Sequence, residues 1–260
     1  MGSQKTQAIT LRLTDYRETS QILSVYSRDF GRMSLIAKGS KRKRAHSQGA
    51  IDLFQLLELV FIERPTAHLH LLTESRVLEE FRGLRQELAR GYAAFFVAEL
   101  LLGLTEESDP DPALFDLAAT VLGMLSETQH PDVVLHAFEV RLLERLGLVP
   151  RLDGCAWCGA AVEPRVAQGD AAPPRTGRGE VAFAASAGGV VCPKCEASVA
   201  ERTYVSAGAL AMLRKLSASP LNRVERLRLS GTIAQDVRRV LARVWMHVMG
   251  REPRMLEYLR

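Results

Sequence analysis

At 260 residues the chain exceeds the ~100 to 200 residues of one ordinary domain, so two or more compact units are expected. A composition of 47% hydrophobic and 25% charged residues excludes wholesale disorder. The net charge of +4 is unevenly spread: residues 1–76 hold 12 Lys/Arg against 7 Asp/Glu, 77–150 hold 5 against 13, 151–200 hold 5 against 5, and 201–260 hold 12 against 5. Two basic regions flanking an acidic one point to an anionic partner at one surface and a basic partner at another. The longest apolar stretch, Tyr92 to Leu104, contains Glu99 and is too short to span a bilayer, and "MGSQKTQ" has no apolar segment of a secretory signal. A cytoplasmic protein with no membrane partner is expected.

From Gln7 to Ser75 the hydrophobic period is mostly two. Ile9, Leu11 and Leu13 alternate with Thr10, Arg12 and Thr14; Leu23 and Val25 flank Ser24; Met33, Leu35 and Ala37 alternate with Ser34 and Lys38; Leu53 to Ile62 follow, then Leu69 and Leu71 opposite His68 and His70. Turn signals at "TDYRET", "SRDFGR", "KGSK" and "ERPT" separate five strands. Five short strands with no helix between them predict a small closed barrel, because closure removes the exposed edges. The five-stranded OB-fold β-barrel is the natural solution, here a nucleic-acid-binding domain over residues 1–78. His68 and His70 have no third ligand and read as a polar strand face.

Between the third and fourth strands, five of the seven residues from Lys38 to Arg44 are cationic: Lys38, Lys41, Arg42, Lys43 and Arg44. Phosphates would relieve the repulsion among them, and their neutralisation releases counterions. The alternative is a solvated charge run, but on a barrel of a type that holds single strands a nucleic-acid contact is the better fit. Tyr26 is a candidate for base stacking, with core packing an equal explanation.

From about Glu79 the period becomes helical, as in Phe96, Leu100 and Leu104, in Val134, Phe138, Leu142 and Leu146, and in Ile233, Val237, Leu241, Val244 and Val248. Residues 79–260 are therefore expected to be a helical domain, interrupted by an insertion over 152–203. Arg238, Arg239 and Arg243 lie opposite the last apolar stripe, as a second DNA-contacting patch or a solvated helix face. "EPRVAQGDAAPPRTGRGE" in the middle of the insertion has no apolar period and reads as a surface loop.

All 4 cysteines fall in that insertion, as Cys155-Ala-Trp-Cys158-Gly and Cys192-Pro-Lys-Cys195. Two C-x-x-C turns supply four thiolates for one structural zinc, and Gly159 suits the knuckle turn. Disulfides are disfavoured in a cytosolic chain, and a redox dithiol needs one such pair beside a βαβ unit. A full thiolate shell leaves no open position for catalysis. The chain carries no G-x-S-x-G, P-loop, G-x-G-x-x-G or H-E-x-x-H. A non-enzymatic protein is expected.

Three runs, "LTDYRETSQILSVYSRDFGRMSLIAKGSKRKR" (Leu13–Arg44), "FEVRLLERLGLVPRLDGCAWCG" (Phe138–Gly159) and "FAASAGGVVCPKC" (Phe183–Cys195), resemble the bacterial RecO recombination mediators, in the same order over nearly the whole chain. The resemblance implies an N-terminal OB domain and a helical domain carrying a zinc knuckle. It also implies binding to single- and double-stranded DNA, annealing of complementary strands, and work with RecR to load RecA onto DNA coated by single-stranded DNA-binding protein, at the nucleoid. Lys38 and Lys41 to Arg44 match the family's DNA-contacting region, and Cys155, Cys158, Cys192 and Cys195 its metal ligands. The 33 residues between knuckles are longer than the family pattern, so the 164–180 segment inherits no role. An OB-fold RNA-binding factor with a structural zinc ribbon is the alternative.

Overall fold

A computed structural model describes residues 2–16, 18–40, 51–64, 69–163, 179–229 and 231–259. The chain divides into two compact units, Met1–Pro131 with Glu257–Arg260, and Asp132–Leu256.

The first unit contains five strands, β1 (Ser3–Tyr16), β2 (Ser20–Ser27), β3 (Gly31–Ala37), β4 (Leu56–Ile62) and β5 (Leu69–Glu79), closed in the order β1-β2-β3-β5-β4. This is the expected OB barrel. The long β1 makes closure possible, because its first half pairs with β4 and its second with β2. The parallel pair Ser34–Ala37 with Leu69–Leu72 seals the remaining seam.

The interior is filled by Ala8, Leu23, Val25, Met33, Leu35, Ala37, Leu57, Leu59 and Phe61. Ile9, Leu11 and Leu13 do not share one face, as simple alternation would have them. A bulge between Thr10 and Arg12 leaves Leu11 without a partner, so Thr10 opposes Val25 and Leu13 opposes Leu23. Ile9 consequently points to the other side, where it opposes Tyr26 and is still fully buried. The outer face at this end of the barrel is covered. Helices α1 (Leu88–Leu104) and α2 (Pro112–Glu127) complete the unit, and Asp111 caps α2 by accepting from the amides of Ala113 and Leu114.

In the second unit α3 (Pro131–Arg145) is buried nearly all round, which marks it as a central helix. Trp245 of α6 (Gly231–Met249) donates its indole N–H to Glu139 Oε1 at 2.7 Å, and Arg141 Nη1 reaches the Leu216 carbonyl of α5 (Ala207–Ala218) at 3.2 Å. Glu139 also meets His136 Nδ1 at 2.5 Å, so this buried carboxylate is satisfied on both oxygens.

The region is helical but not wholly so. The cysteine segment folds around three antiparallel strands, β6 (Glu180–Ala184), β7 (Gly189–Val191) and β8 (Thr203–Ser206), in the order β7-β6-β8, with the single-turn α4 (Pro193–Glu196) after β7. No helix among the described residues is long and apolar enough to cross a membrane.

Candidate metal centre and nucleic-acid interface

Cys155 and Cys158 sit on a turn that the backbone locks. The Cys155 amide donates to the Ala160 carbonyl at 2.8 Å and the Gly159 amide returns to the Cys155 carbonyl at 2.9 Å. Gly159 has φ +77°, a left-handed conformation that costs an L side chain free energy. Cys192 caps α4 and Pro193 opens it, so Cys195 lies one turn on, with its amide 3.0 Å from the Cys192 carbonyl. The two turns meet: all four sulfurs lie within 4.8 Å of one another, and Cys158 Sγ is 3.7 Å from Cys192 Sγ.

Ala182, Ala184, Val191 and Val199 pack around Cys155 and Cys192. Burial pushes the Cys155 thiol up, but the backbone amides of Cys192, Cys158 and Trp157 outweigh it and bring the thiol down to about 6. The Cys195 backbone amide likewise lowers Cys192. The hydrogen bond with Cys158, followed by burial, leaves Cys195 pushed up to about 12. Four convergent sulfurs could hold a metal ion.

Among the cations proposed for DNA, Lys38 is exposed at the end of β3 and takes no carboxylate partner among the described residues. Its position is set by Ala37, which pairs with Gln21 of β2 and Leu72 of β5. Lys41, Arg42, Lys43 and Arg44 lie outside the described residues.

Tyr26 is only 1% exposed. It lies on the same outer face as its cross-strand partner Arg32, whose Nε reaches the Thr105 carbonyl at 3.0 Å, so its ring offers no free face to a base. The core-packing explanation replaces the stacking one.

Arg239 is also drawn inward. Its Nη1 lies 2.7 Å from Oδ1 of the buried Asp236, whose Oδ2 accepts the Ser206 amide at 2.8 Å. Arg239 thus neutralises a carboxylate that anchors the start of α5, and it is not a free cation. Arg238 is half-buried and Arg243 exposed, without carboxylate partners among the described residues. Arg243 lines a cavity of about 760 Å³ with Glu201, Arg202, Tyr204 and His247.

Two features escaped the sequence reading. Arg28 holds Asp116 in a bidentate pair at 2.8 and 3.0 Å, and Arg32 holds Glu107 at 3.4 Å, so part of the acidic segment neutralises the barrel's own arginines. The side-chain hydrogen bond between them raises Arg28 and lowers Asp116 from their usual values. The second is Trp157, inside the first C-x-x-C turn and 63% exposed.

The family description "Recombination protein O N terminal" matches residues 1–81, and "Recombination protein O C terminal" matches residues 85–255. The chain is 34% identical over 82% of its length to a DNA repair protein RecO of Rhodopirellula baltica, covering 74% of that protein. Over 96% of its length it is 32% identical to a DNA repair protein RecO of Anaeromyxobacter dehalogenans, covering 93% of it, and a Listeria monocytogenes protein of the same name is 28% identical over 85% of this chain and 80% of its own. With a closed OB barrel, a helical region and a four-cysteine cluster under two family matches that together take in nearly every residue, this chain belongs to the RecO family of recombination proteins.

Proposed function

We propose that the chain is a recombination mediator in DNA repair. It binds single- and double-stranded DNA, anneals complementary strands, and with RecR helps load RecA onto DNA coated by single-stranded DNA-binding protein, in the cytoplasm at the nucleoid. The observation that carries the reading is the basic run from Lys38 to Arg44, emerging from the β3 end of an OB barrel in a chain of this family. Cations that neutralise phosphates on two strands at once lower the repulsion between complementary strands, so pairing needs neither ATP nor bond-breaking chemistry. Lys38, Lys41, Arg42, Lys43 and Arg44 are the contacts, with Arg238 and Arg243 a second cationic patch.

Cys155, Cys158, Cys192 and Cys195 hold one structural zinc. A tetrahedron with Zn–S bonds of ~2.3 Å has sulfur–sulfur edges of about 3.8 Å, and the 3.7 Å between Cys158 and Cys192 already fits one edge. A bound zinc supplies cross-linking of two turns and no reaction step.

The test is strand annealing by the purified protein, with and without single-stranded DNA-binding protein on the strands. The expected result is ATP-independent annealing that persists on coated strands. Loss of annealing on coated strands, or preference for RNA over single-stranded DNA in competition, would overturn the reading in favour of an RNA-binding factor.

A further inference from the structure

The chain's 2 tryptophans are in opposite states. Trp245 is fully buried and hydrogen-bonded to Glu139, whereas Trp157 is 63% exposed. Indole is among the largest apolar surfaces a protein can leave in water, and a free loop would fold it against its neighbours. This turn resists that. The Cys155 and Gly159 hydrogen bonds fix it, and the Ala156 amide donates to the Val190 carbonyl of β7 at 2.8 Å.

Exposed cations share the cysteine turns with the ring. Lys194 occupies in the second C-x-x-C turn the place Trp157 has in the first, and it is exposed. Each is one residue from a cysteine of a set whose sulfurs lie within 4.8 Å. Arg151, also exposed, runs alongside the first turn: its Nη2 lies 3.7 Å from where a Cβ on Gly154 would stand and 4.0 Å from one on Gly159. Among the described residues no carboxylate pairs with Lys194 or Arg151, and the nearby Asp153 is taken by Arg214 at 2.6 Å. A protein partner would favour a wider apolar patch, and the exposed residues that follow the ring, Cys158 to Ala161, carry only small side chains. An aromatic platform with unneutralised cations beside it matches the base and the phosphate of a single strand together.

We propose that the cysteine lobe is a second single-strand contact, in which Trp157 stacks on an unpaired base while Lys194 and Arg151 take the flanking phosphates. The proposal rests on the reading that the chain binds single-stranded DNA, and it adds a site remote in sequence from the basic β3–β4 connection.

The two tryptophans make the test direct, because solvent-exposed emission belongs to Trp157 alone. The full-length protein is titrated with a twelve-nucleotide oligothymidylate at low salt, and anisotropy of the labelled oligonucleotide is followed in parallel. The expected result is quenching of the long-wavelength emission with the same midpoint as the anisotropy. Trp157→Ala is expected to bind about tenfold more weakly with unchanged metal content and melting temperature, and Trp157→Phe to recover most of the loss. Anisotropy binding with unchanged Trp157 emission and an unaffected Trp157→Ala variant would overturn the proposal while DNA binding stands, leaving the indole to a protein partner. No binding by anisotropy would overturn both.

Discussion

Gly31 holds φ +65°, and a Cβ placed there would lie 2.2 Å from the carbonyl oxygen of Asp109. The four residues Asp29 to Arg32 lie within the first of the runs that carry the family resemblance, and their surroundings give each a cause. Asp29 Oδ2 accepts from Thr6 Oγ1 at 2.7 Å, Phe30 sets its ring edge-on to Phe61 at 5.2 Å, Gly31 admits the close approach of Asp109, and Arg32 bonds Thr105 and Glu107. Gly31→Ala is therefore expected to destabilise the first unit by at least about 2 kcal/mol, from the left-handed backbone and the forced shift together. A chemical denaturation midpoint equal to wild type would contradict this. The sequence made the motif visible as a turn. Its reason was not legible, because Asp109 is 78 residues away along the chain.

At the scale of elements, β6, β7 and β8 have 5, 3 and 4 residues and surround a core of small side chains. So little buried apolar surface cannot offset the ordering cost of the segment, whereas structural zinc supplies on the order of 10 kcal/mol in small domains. Cys158→Ser, which removes the exposed member of the four, is expected to lower bound zinc from one ion per chain to a small fraction and to reduce the thermal midpoint of the second unit. Elemental analysis beside calorimetry checks both. A zinc-free variant melting like wild type would end the structural role.

The cysteine spacing and the long helices were legible because one reports ligand chemistry and the other a sustained 3.6-residue period. The small sheet was not: β6 is Glu-Val-Ala-Phe-Ala, buried from Val181 to Ala184 on both faces, so it shows no alternation. Tyr26 misled for a related reason, since a period of two separates the faces of a strand but cannot say that the outer face is also covered. Arg239 was readable in part. Asp236 stands three residues before it on α6, a spacing that brings opposite charges together, yet the sequence alone does not say that this carboxylate is buried.

For the whole molecule, the charge blocks seen along the chain act partly on one another. Arg28 and Arg32 are held by Asp116 and Glu107, Lys5 and Arg76 share Glu58 at 3.1 and 3.2 Å, and Arg85 meets Asp52 at 3.0 Å. Exposed pairs of this kind add little to stability, but they remove these cations from competition for phosphate. Within the first 76 residues, the basic excess left for an anionic partner concentrates on the Lys38–Arg44 run, which holds no carboxylate of its own. The most direct test is the salt dependence of oligonucleotide binding by wild type and by a variant with Lys41→Glu, Arg42→Glu, Lys43→Glu and Arg44→Glu. Four phosphate contacts on a single strand predict a log–log slope shallower by about 3, alike for every DNA sequence. Parallel lines with the wild-type slope would contradict the account, returning those four side chains to solvent.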